Sequence, residues 1–98
     1  MSEPEAELTA AQLVEEIKKL RVSDLVLSTV TTLAQLAYAK LEESSRDLGQ
    51  ARLAIDTIHV LLPTLHEHIP PALSRDLGQM LADLQVAYAS AASGPPVE

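Results

Sequence analysis

Residues 25–39 read Leu-Val-Leu-Ser-Thr-Val-Thr-Thr-Leu-Ala-Gln-Leu-Ala-Tyr-Ala, with no charged side chain from Leu25 to Ala39. Two readings compete for this stretch. Val26 to Thr32 is rich in β-branched residues, which suit strands. Strict alternation of apolar and polar residues fails, however. Val26, Val30, Leu33, Ala37 and Leu41 instead recur at helical spacing with no turn signal between them. The stretch is therefore read as a helix. A second stripe, Leu27, Ala34, Tyr38 and Leu41, runs beside the first, and Leu25 and Leu36 widen the apolar surface. A helix that is apolar or small nearly all round has to be buried on more than one side. The uncharged run is too short to span a bilayer and carries Ser28, Thr29, Thr31, Thr32 and Gln35.

Working toward the amino terminus, Ser23 or Asp24 is the natural N-cap of this helix. A shorter amphipathic helix precedes it. Thr9-Ala10-Ala11-Gln12 has the form of a capping box, with Leu8 and Leu13 at the hydrophobic-staple positions. Leu13, Ile17 and Leu20 follow at spacings of four and three, Val14 widens the stripe, and Glu15, Glu16, Lys18 and Lys19 fill the other face. Residues 1–8 are polar and acidic and read as a disordered lead-in. A secretory leader starts basic and turns apolar, so this start points to a cytoplasmic protein.

Working toward the carboxyl terminus, Asp47-Leu48-Gly49-Gln50 has the form of a second capping box. Leu48, Ala51, Ile55, Ile58, Leu62 and Leu65 then alternate spacings of three and four, the cleanest periodicity in the chain. Pro63 is expected to kink or end that helix, because it lacks the amide and clashes with the carbonyl four residues back. Pro70-Pro71 punctuates the chain, with Pro71 placed to open a last helix through Leu73, Leu77, Met80, Leu84 and Tyr88. Residues 93–98, with Gly94-Pro95-Pro96, read as a frayed tail. The hexapeptide Ser-Arg-Asp-Leu-Gly-Gln occurs at 45–50 and again at 74–79. The similarity fades directly after each copy, which favours local convergence over a duplicated hairpin.

The expected architecture is all-α: a four-helix, bundle-like domain over residues 9–92, with helices near 9–21, 23–44, 47–63 and 71–91. Composition agrees. Of the 98 residues 47% are hydrophobic, yet there is no Phe or Trp and only two Tyr, so the core is made of small and aliphatic side chains suited to close helix packing. The absence of Cys excludes disulfides, Cys-ligated metal and thiol catalysis. A formal charge of -7 disfavours direct binding to nucleic-acid phosphates.

Residues able to do chemistry are present but do not converge. His66-Glu67-His68 places two histidines at i and i+2, whereas a helical zinc pair needs i and i+4, and His59 lies seven residues earlier. Glu15/Glu16 and Glu42/Glu43 are adjacent pairs, whose side chains diverge by about 100° on a helix. Gly49, Gly78 and Gly94 each stand alone, so no phosphate-cradling loop exists. The expectation is a non-enzyme with no cofactor and no metal site.

Across most of residues 24–90 the chain resembles a small uncharacterised bacterial family, known as domain of unknown function eighteen-forty-four. The resemblance is carried by Asp47-Leu48, Ala51-Arg52, Ile55-Asp56, Leu81, Leu84-Gln85 and Ala87-Tyr88, and by the apolar helix before them. It leaves out the first helix. It implies a short all-helical protein with no assigned activity. Members' genes often lie among translation genes in actinobacteria, which implies a translation- or ribosome-linked role. Many members carry Arg where this chain has Gln85, so no Arg–carboxylate pair is carried over there. By analogy Asp56 and Tyr88 would form a buried polar pair.

The function expected is a helical interaction module that self-associates as a homodimer. Its interface would be formed on the central second helix by Val26, Leu27, Val30, Leu33, Ala34, Ala37 and Tyr38, with oligomerisation completing the bundle. The alternative is an acidic adaptor for a basic translation- or ribosome-associated protein. No membrane and no direct nucleic-acid partner is expected.

Overall fold

A computed structural model describes residues 9–93. The lead-in expected at 1–8, with Leu8 of the staple, and all of the expected tail but Ser93 lie outside the described residues. The chain is all-α, as its periodicities predict. Among the described residues four helices follow in order, α1 (Ala10–Lys19), α2 (Val22–Leu41), α3 (Leu48–His66) and α4 (Pro71–Ser93), with a 3-10 turn at Glu43–Ser45 between α2 and α3. No strand occurs among the described residues.

The capping box on α1 is complete. Thr9 Oγ1 accepts from the Gln12 amide at 3.0 Å, and the Thr9 amide donates to Gln12 Oε1 at 3.0 Å. Lys18 and Lys19 sit in the last turn, where cations oppose the helix dipole. A two-residue extended link, Leu20 with ψ 141° and Arg21 with ψ 135°, leads into α2.

The start of α2 differs from expectation. Arg21 is the N-cap and makes no side-chain capping bond, so Ser23 and Asp24 fall inside the first turn. A Ser-Asp pair suits that turn as well as the cap, because an acidic side chain there meets the positive end of the dipole. Within α2, Thr29 and Thr31 donate back to the carbonyls of Leu25 at 2.9 Å and Leu27 at 3.0 Å. Those hydroxyls are satisfied locally, so the β-branched stretch stays helical.

Asp47 caps α3 with one half of the box, its Oδ1 accepting from the Gln50 amide at 3.1 Å. Pro63 does not end α3, which continues to His66. Pro63 and His59, whose carbonyl loses its donor, are both exposed residues, and an unpaired carbonyl is costly chiefly where it is buried. Buried Leu65 holds the turn that follows. Pro71 opens α4 as expected, and the Ser74 amide closes the first turn on the Pro70 carbonyl at 3.0 Å.

Three helices carry the core. α2 packs against α3 and α4, and α3 packs against α4. Val30, Ile58 and Leu84, one from each, are fully buried. Ala34, Ala37, Ala51 and Ala54 are buried on α2 and α3, and their small side chains let the two backbones approach closely. No polar or charged residue is buried among the described residues. α1 packs against none of the other helices.

The repeated hexapeptide takes two backbones. At 45–50 it ends the 3-10 turn, passes through extended Arg46 and caps α3 with Asp47. At 74–79 it lies wholly inside α4. Pro71, three residues upstream, has already set the helical course there.

Candidate interaction surface

α1 is amphipathic, and its apolar stripe is open to solvent. Leu13, Val14, Ile17 and Leu20 are between 48% and 60% exposed, and no residue of the helix is buried. On its polar face Lys18 pairs with Glu15 at 3.4 Å and Lys19 with Glu16 at 3.6 Å. These exposed i,i+3 pairs add little stability but keep that face wet.

A second apolar feature lies where α2 begins and α3 ends. A groove of about 430 Å³ is walled by Val22 and Val26 from α2 and by Val60, Leu61 and Leu65 from α3. Arg21, Ser23, Thr64 and His68 complete its lining. Val22 is 78% exposed and Val60 69% exposed, so the groove opens to solvent on both walls.

The structure redistributes the interface expected on α2. Val30, Ala34 and Ala37 are buried inside the single chain, and Val26, Leu27 and Leu33 are half-buried against the same core. The reason is that both apolar stripes of α2 find partners at home, since α3 and α4 pack on it together. Of the seven residues Tyr38 alone is exposed, and Leu25 and Leu36 are exposed elsewhere on α2. The groove and the bare stripe on α1 were not foreseen. The signal for the first was a minor stripe on α3, Leu53, Thr57, Val60 and Thr64, at helical spacing beside the main one.

The polar pair is also corrected. Asp56 is exposed and meets Arg52 at 3.5 Å, one helical turn earlier on α3, while Tyr88 is half-buried against the core. A carboxylate at the edge of an apolar stripe turns outward when a cation four residues away can reach it in water.

The histidines go separate ways. His66 Nδ1 hydrogen-bonds Ser74 Oγ across the α3–α4 turn, His68 lines the groove, and His59 is exposed on α3. Among the described residues no three His, Asp or Glu side chains gather as a metal site. No described helix is long and apolar enough to cross a membrane. No family model matches the chain, and comparison with curated proteins and with solved structures finds no match.

Proposed function

We propose that this chain is a non-enzymatic helical module, cytoplasmic and bacterial, whose work is to self-associate as a homodimer. One observation carries the reading: α1 is amphipathic, yet its stripe of Leu13, Val14, Ile17 and Leu20 is open to solvent and α1 packs against none of the other described helices. A ten-residue helix is marginal in water on its own, and most helices owe their stability to packing of the apolar face. A second surface is what that face lacks. The groove is lined mainly by aliphatic side chains, which suits docking of apolar groups more than catalysis. Light scattering at micromolar concentration tests the proposal. A dimeric mass that dissociates on dilution supports it, and a monomeric mass throughout defeats it.

The net charge of -7 favours a second reading, an acidic adaptor for a basic translation-linked protein. Salt separates the two. Apolar self-association strengthens or holds as salt rises, because added salt screens the repulsion between two acidic copies. Binding to a basic partner weakens.

A further inference from the structure

Resting on the self-association reading, we propose that two copies exchange their first helices. α1 of each seats Leu13, Ile17 and Leu20 in the α2–α3 groove of the other.

Size fits first. A cavity of ~150 Å³ accommodates one benzene. At about 430 Å³ the groove therefore has room for roughly three aliphatic side chains. Leu13, Ile17 and Leu20 are three such side chains on one face, spread over about 10 Å of helix axis. Both surfaces are apolar, and the charged residues of α1 occupy its opposite face, where the Lys18–Glu15 and Lys19–Glu16 pairs stay in solvent after docking.

Connectivity then selects a second copy over the chain's own arm. The groove begins at Arg21, the second residue of the α1–α2 link, and Val22, the first residue of α2. To fill it from within, α1 would have to reverse direction through Leu20 and Arg21, yet both are extended and α1 packs against no other described helix. The overall shape agrees with a projecting arm. The Cα radius of gyration is 17.9 Å, against about 13 Å for a compact domain near this length.

The area reaches what a specific dimer needs. Leu13, Ile17 and Leu20, each about half-exposed, offer on the order of 80 Å² each, and the groove covers itself by a similar amount. Two reciprocal contacts bury about 1,000 Å², at the lower bound of specific interfaces.

The chain has no Cys, so single cysteines report position without background. Light-isotope I17C chains are mixed with heavy-isotope V60C chains and treated with a short bismaleimide. The expected result is a light–heavy pair joined between positions 17 and 60, and loss of the dimer, by at least about tenfold in dissociation constant, in Ile17→Lys. Ile17 is 57% exposed, so that variant keeps the three-helix core. A dimeric mass without the 17–60 cross-link overturns the exchange and leaves self-association standing. A monomeric mass removes both. A monomer in which the I17C/V60C double variant links internally shows the arm folded on its own groove and also overturns the proposal.

Discussion

Arg46 donates two hydrogen bonds to one backbone oxygen, the Leu41 carbonyl, through Nε at 3.1 Å and Nη2 at 2.7 Å. This fork closes the end of α2. Ser45 Oγ donates to the Ala39 carbonyl, and the Asp47 amide donates to Lys40 O at 2.8 Å. Three carbonyls of the last turn, which no helical amide can reach, thereby find donors in the connecting loop. Hydrogen bonds from a charged donor contribute about 1.5–3 kcal/mol. Arg46→Ala is expected to cost about 1–2 kcal/mol, seen as a lower urea midpoint. Arg46→Lys should recover little, because an ammonium cannot reproduce the planar fork. Full recovery by Lys would remove the geometric explanation.

The twin hexapeptides permit a matched comparison. Asp47 is an N-cap, and Asp76 is an exposed position inside α4. Asp47→Ala should cost about 1 kcal/mol. Asp76→Ala should stay within about 0.5 kcal/mol of the parent. Equal losses in urea unfolding would contradict the two backbones assigned to one sequence.

Gly78 offers a gain. It sits in the interior of α4, and a Cβ there would meet nothing within 4 Å. Gly78→Ala is expected to stabilise by about 0.5–1 kcal/mol through reduced chain entropy in the unfolded state. A melting temperature that falls would mean the position is not open helix.

Pro63→Ala should also stabilise, by about 1–2 kcal/mol. The change restores an amide to the His59 carbonyl within α3 and removes a ring from a helix interior. Part of the gain is offset by the freer unfolded chain that Ala allows. Thermal unfolding measures the sum, and an unchanged or lower midpoint would show that Pro63 is relaxed where it stands.

Thr9→Ala separates the arm from the core. Loss of the capping box should cost α1 about 1 kcal/mol, and amide exchange within Ala10–Lys19 should accelerate accordingly. The α2–α4 core should unfold at the parental midpoint when dilute and monomeric, since α1 packs against none of it. A matching fall in the core's midpoint would show that the two are joined.

The fold was legible because each helix states its own period and three of them mark their starts. Leu48 through Leu65 describes α3 almost completely, and Thr9, Asp47 and Pro71 mark starts that the structure keeps. What escaped was tertiary. Ala34 and Ala37 lie on stripes that read equally well as interface or interior, and only the joint packing of α3 and α4 on α2 places them inside. Ala34→Glu, which would report on an exposed interface, therefore buries a charge in the core. Pro63 escaped for a related reason: a local rule about amides yields where the affected residues lie at the surface and the next turn is anchored by buried Leu65. The groove depends on where two helix ends meet, which no single stripe encodes.

The shortness of the Leu20–Arg21 link has a consequence for symmetry. An arm and a groove are different surfaces, so one contact leaves a second arm and groove free. The pair closes as an isologous dimer when two copies return the contact to each other, and becomes a heterologous open chain when each passes its arm onward. Two extended residues reach at most about 7 Å, so they fix the arm's direction instead of letting it swing. Affinity would then reside in the aliphatic stripes, while the number of copies is set by two backbone angles that touch no partner. Lengthening this link by a few residues would leave every contacting side chain in place and still change the assembly from closed to open, or the reverse.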